Sequence, residues 1–164
     1  MPIDVAAAVV ADLPELADVA ARTFPLACPV SVSAANIAAF IDENLSEQRF
    51  RDYLADPDRW VLTAREDERM VGYAMLIRAD DGAIELSKIY VLPDSHGAGA
   101  SAALMATALE TAKEQGVEEV WLGVNQQNQR AQRFYAKQGF TVSGTRTFQL
   151  GADVEHDYVM VRPL

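Results

Sequence analysis

Two glycines, Gly97 and Gly99, stand between a stretch that alternates like a strand and a run of small residues that reads as a helix start. Such a junction can hold an anion. The first N–H groups of a helix have no partner within it and lie at the positive end of its dipole. Without side chains at Gly97 and Gly99, a phosphate can approach those groups closely. Ala100, Ser101, Ala102 and Ala103 continue the run of small residues, which equally suits tight helix–sheet packing. Gly97 through Ala102 also fits the dinucleotide pattern G-x-G-x-x-A. That pattern needs an acidic residue at the end of the next strand to hold a ribose, and here the strand ends at Val124-Asn125. Pro93 to His96 also lengthen the connection beyond the tight turn required, so a nicotinamide enzyme is disfavoured. A second constellation follows in Asn128, Ala131 and Tyr135, whose spacing places them on one face of one helix. An Asn there is a common helix cap and a Tyr a common core residue. Finding both one crossover away from a phosphate-type loop is less common.

The elements that must position these residues can be read from periodicity. Residues 3–10 predict a first strand, and Asp12 caps a helix over 13–23 with Leu13, Leu16, Val19 and Ala20 as its apolar stripe. Pro25 and Pro29 predict a loop over 24–33. Two helices follow over 34–44 and 46–55, the second capped at Ser46. From Trp60 the period becomes alternating, with strands over 60–65 and 70–77 around a polar turn, and Asp80-Asp81-Gly82 turning into a strand over 83–92. A helix over 99–115 ends at Gly116. A strand over 117–124, a helix over 128–138 and strands over 140–150 and 154–161 complete the chain. This order predicts an α/β (α+β) mixed sheet with helices packed on it and one parallel β-α-β crossover. With no linker or repeat, residues 1–164 read as one domain.

Composition excludes several classes. Net charge is −10 without a basic stripe, which argues against nucleic acid. No apolar run approaches the roughly 20 residues that cross a bilayer, and Met1 to Asp4 lack the basic start of a signal peptide. The lone Cys28 can form no internal disulfide, so a reducing cytoplasm is the expected location. His96, His156 and the scattered carboxylates show no metal-ligand spacing, and no metal is expected. Trp60 and Trp121 read as core anchors.

The span from about Trp60 to Phe140 resembles the GNAT superfamily of N-acetyltransferases. Its late motif, N-x-x-A-x-x-F-Y-x-x-x-G-F, matches Asn128 through Phe140 without exception. Its phosphate motif, R/Q-x-x-G-x-G/A, maps onto His96 through Ser101, with His96 in place of Arg or Gln and Ser101 in place of Gly or Ala. More loosely, the chain is similar to the polyamine-acetylating, PaiA-like branch in the 35–54 helices, Val120 to Val124, and Asp157 to Met160.

This resemblance implies a mostly antiparallel twisted sheet with helices on both faces, and acetyl-CoA as co-substrate. It implies cofactor contacts from Ile89, Tyr90 and Val91, from His96, Gly97, Ala98, Gly99, Ala100, Ser101 and Ala102, and from Asn128, Ala131 and Tyr135. The backbone of Ile89 and Val91 would pair with the pantetheine arm. Glu85 falls where family members that use a strand carboxylate carry their general base, and Tyr135 where the general acid protonates the departing thiolate. Strict alternation puts Ser87, Ile89 and Val91 on the face of Glu85 unless a bulge breaks the phase. The expected acceptor is a small primary amine, polyamine-like first. Acetylation of a protein N-terminus or lysine, and a non-catalytic acyl-CoA-binding module, are the alternatives. Homodimers are common in the family.

Overall fold

The structure is a computed structural model that describes residues 2–96 and 99–164. It is built on one seven-stranded sheet in the order β1-β2-β3-β4-β5-β7-β6. The strands are β1 (Ile3–Ala7), β2 (Arg59–Glu66), β3 (Arg69–Arg78), β4 (Ile84–Val91), β5 (Glu119–Asn125), β6 (Thr141–Leu150) and β7 (Asp153–Pro163). Every neighbouring pair is antiparallel except β4–β5. The α4 helix (Ala100–Glu114) makes the crossover between those two strands, as the glycine-flanked period predicted.

Both faces of the sheet are covered. On one, Leu104, Met105, Ala108 and Ala112 of α4 pack on Leu62, Leu76, Ile84 and Val120, and α5 (Gln129–Lys137) joins the same side through Ala131, Phe134 and Tyr135. On the other, α1 (Leu13–Ala27), α2 (Ala34–Asn44) and α3 (Glu47–Ala55) cover Val61, Tyr73 and Met75 with Leu13, Leu16, Val19, Phe24 and Phe50. Strand β3, lying between the two layers, is buried from Met70 through Leu76, as a strand covered on both faces must be.

The local signals set most boundaries. The Ser33 and Ser46 hydroxyls cap α2 and α3 by accepting the N–H of Asn36 and of Arg49. Two expectations are corrected near the N-terminus. Strand β1 stops at Ala7, and the chain turns at Val10–Asp12, where the Asp12 carboxylate accepts the Val9 N–H at 2.9 Å. Helix α1 does not stop at Thr23; it runs through Pro25 to Ala27. Proline in a last turn forfeits one helical hydrogen bond, and the buried stack of Phe24 on Phe40, with ring centroids 4.5 Å apart, offsets the loss.

One departure from regularity positions the site. Strands β4 and β5 pair only at Ile84–Val120 and Glu85–Trp121, then part. Strand β4 stays on β3 as far as Val91, and β5 stays on β7 as far as Asn125, so a wedge opens between their C-terminal halves. Where the wedge begins, β4 carries a bulge: Met75 faces Lys88 and Leu76 faces Leu86, leaving Ser87 without a partner.

Candidate active site

Two cavities occupy the wedge and meet at Ala27, Asn128, Ala131 and Tyr135, which line both. The first has a volume of about 420 Å³ and runs from the open edge of β4 to the start of α4. The second, about 350 Å³, lies on the opposite side of β4 beneath α1 and the β6–β7 hairpin.

The first cavity collects most of the residues that the sequence assigned to a cofactor. Ile89, Val91, His96, Gly99, Ser101 and Ala102 line it beside the shared α5 residues. The Leu92 N–H donates to Val71 O at 2.8 Å, which fixes the alternation of the β3–β4 ladder. By that alternation the backbone groups of Ile89 and Val91 turn away from β3 and into the wedge. The His96 ring takes one of them, its Nε2 lying 2.9 Å from Val91 O. At the far end Gly99 caps α4 with a φ of +89°, a left-handed conformation natural to glycine. The cap has no side chain over the first helical N–H groups, and an added Cβ there would meet nothing within 4 Å. These groups fit a phosphate-bearing, extended cofactor: an open strand edge leading to an uncovered helix N-terminus.

Three assignments differ. Ala100 is buried against the core and lines neither cavity. Tyr90 lines the second cavity, not the first. Gly97 and Ala98 lie outside the described residues.

The second cavity is polar and charged. The bulge at Ser87 reverses the phase of β4, so Glu85 shares its face with Lys88 and Tyr90, while Ile89 and Val91 turn to the α4 side. Strict alternation is overturned there, because one extra residue rotates every side chain after it. Burial raises the Glu85 carboxyl above the usual carboxylate range, against the opposing pull of Arg146 and Lys88. Arg146 lies with Nη1 3.7 Å from Glu85 and Nε 3.1 Å from Asp157, its guanidinium 5.3 Å above the Trp121 ring. Gly123 makes this arrangement possible, since a Cβ at that position would collide with the guanidinium. Trp121 therefore serves as the platform for a charged group, beyond the core anchor expected of it. Glu155 adds a further carboxylate to the lining.

Tyr135 stands at the junction. Its ring is held between Phe134 and Phe140, at centroid distances of 5.6 and 5.9 Å. Burial raises its pKa, so the phenol stays protonated at neutral pH. Asn128 caps α5, its Oδ1 accepting the Ala131 N–H at 3.2 Å. The motif Asn thus orients the helix that presents Tyr135. Cys28 also lines the second cavity, and burial and Glu155 push its thiol up to about 11, which leaves it unreactive.

Sequence reasoning missed Lys88, Arg146, Glu155 and Asp157. Nothing in β6 marks Arg146, whose neighbours Thr145 and Thr147 are ordinary strand residues. Asp157 carried a faint signal, as an acidic residue in an otherwise apolar strand end.

Comparison with known proteins agrees with this geometry. The chain belongs to the acetyltransferase (GNAT) family, whose sequence profile matches residues 15–140 and so reaches back into α1. An uncharacterized N-acetyltransferase of Mycobacterium tuberculosis is 65% identical over 153 residues, covering 93% of this chain and 98% of that one. Mycothiol acetyltransferase of Brachybacterium faecium is 36% identical over 132 residues, or 73% of this chain and 39% of that protein. Among solved structures, PaiA N-acetyltransferase of Thermoplasma acidophilum in complex with coenzyme A is similar in fold. Its TM-score is 0.87 at 24% identity, with both chains fully covered. The chain is thus an N-acetyltransferase that uses acetyl-CoA.

Proposed function

We propose that this enzyme acetylates the primary amine of a small molecule, by direct attack of the amine on the acetyl thioester. The observation that carries the reading is the meeting of the two cavities at Tyr135. One is shaped for an extended phosphate-bearing donor, and the other is an acidic chamber closed on one side by Phe24, Cys28 and Pro29. Acetyl-CoA supplies the activated acetyl group when bound. The wedge-facing amides of Ile89 and Val91 hold its arm, with the Val91 N–H able to polarise the acetyl carbonyl. The first turn of α4, from Gly99, holds its phosphates, supported by coenzyme A in the similar PaiA structure.

An alkylammonium with a pKa of about 10 must lose a proton before it attacks. Glu85, whose pKa burial raises toward that of a better base, takes it, directly or through one water. Tyr135, kept protonated by burial, delivers a proton to the departing sulfur. Glu155 and Asp157 favour a cationic amine entering the chamber, and polyamine-like chains fall within that class. The extension of α1 to Ala27 and the Phe24–Phe40 stack give the chamber a wall that a peptide groove would lack.

A thiol-release assay with acetyl-CoA over a panel of small amines and peptides tests the reading. Turnover confined to small amines is expected. Release with peptides alone would move the enzyme to protein acetylation. Coenzyme A binding without release above background hydrolysis would make it an acyl-CoA-binding module.

A further inference from the structure

Lys88 is a charged group in the acceptor chamber that the reaction above leaves unused. Without the bulge at Ser87, Lys88 would point with Leu86 into the core beneath α4; with it, Lys88 enters the chamber beside Glu85 and Tyr90. Bulges are a recurrent means of re-aiming a side chain at a functional site.

The charge that arrives this way has no contact ion pair among the described residues. Among the described residues no carboxylate lies within 4.0 Å of the Lys88 ammonium. The nearby acids Glu85 and Asp157 are engaged by Arg146. Lys88 feels Glu85, already shared with Arg146, and the like charge of Arg59, and it lies 5.8 Å from the centroid of the Phe40 ring, a weak contact. A half-buried cation without a carboxylate of its own at contact distance is costly. A bulged strand that delivers one into a ligand chamber implies that the counter-charge comes with the ligand.

Resting on the small-amine reading above, we propose that Lys88 is the acceptor-recognition residue: its ammonium receives a carboxylate carried by the acceptor, whose primary amine lies at Glu85. The substrate class is then an amino acid or a similar amino-carboxylate, in preference to a polyamine whose far end is a second ammonium. A volume of about 350 Å³ suits a molecule of that size. Burial draws the Lys88 pKa down to about 8, as expected of an ammonium whose partner is absent, and a bound carboxylate would restore its full charge.

The test uses matched acceptors that differ only by the carboxylate: lysine and cadaverine, ornithine and putrescine, 5-aminopentanoate and butylamine. For each pair the ratio of kcat/KM values is measured by thiol release, with the wild-type chain, Lys88→Met and Lys88→Arg. A ratio taken on one preparation does not depend on how much of a variant is folded. The wild type is expected to favour the carboxylated member. Lys88→Met should cut that preference by about tenfold to a hundredfold, the range of a hydrogen bond to a charged partner. The loss should appear in KM, and Lys88→Arg should keep the preference. Preference for the decarboxylated amines by the wild type, or an equal loss on both members in Lys88→Met, overturns the proposal while leaving small-amine acetylation intact. No release from any of the six, with coenzyme A still bound in calorimetry, overturns both.

Discussion

Replacing Tyr135 by Phe removes one oxygen from the point where donor and acceptor cavities meet, and the structure separates its effect on chemistry from its effect on folding. The ring packs between Phe134 and Phe140, at 5.6 and 5.9 Å, and both contacts survive the substitution. Burial alone accounts for the raised pKa of the phenol, with no hydrogen-bonding group among the described residues contributing. No hydrogen bond among the described residues is therefore lost, and stability should move by less than about 0.5 kcal/mol. The amides and helix N-terminus proposed to hold the cofactor are untouched, so KM for acetyl-CoA should stay within a few-fold. Turnover should fall by about 10²–10⁴, the usual weight of a general acid, equivalent to about 3–5 kcal/mol of barrier. Steady-state thiol release measures the fall, and a thermal melt on the same sample controls for folding. An acetyl thioester whose leaving thiol is more acidic needs less protonation, so it should recover part of the rate in the variant only. Wild-type turnover in Tyr135→Phe with every accepted amine would refute the assignment.

Three further outcomes follow from the same geometry. The wild-type rate should fall on the acid side as Glu85 protonates, at a pH above the ordinary carboxylate range because burial raises this group; Glu85→Gln should lose about 10²-fold or more in kcat and with it that acid limb. Gly123→Ala should displace the Arg146 guanidinium. Since Arg146 lowers the Glu85 pKa, the acid limb of this variant should move to higher pH, and an unmoved limb would detach Arg146 from the base. Gly99→Ala meets no atom but forces a side chain onto a φ of +89°. A backbone cost of about 1–2 kcal/mol should lower Tm by a few degrees and weaken coenzyme A binding in calorimetry.

Much of the architecture was legible because its determinants are local. The serines that cap α2 and α3, the glycines that close α4 and α5, and the change of period at Trp60 each act within a few residues. The corresponding elements lie within a residue or two of expectation. The failures share a cause as well. Pro25 should end a helix by local rules, yet α1 continues because Phe24 has a partner in Phe40, on a different helix. Alternation should place Glu85 with Ile89 and Val91, yet a bulge that leaves no mark in the sequence exchanges them for Lys88 and Tyr90.

The sequence by itself determined the family, through the unbroken match from Asn128 to Phe140, and named most of the residues that line the cavity on the proposed donor side. That side is made of backbone groups, a glycine cap and one helix face, which short spacings encode. Only the tertiary structure decided the acceptor side. Glu85, Lys88, Arg146 and Asp157 come from three strands that the sheet order β4-β5-β7-β6 brings around one chamber. The shifts of Glu85 and Lys88 come from burial in that chamber, which no spacing along the chain records.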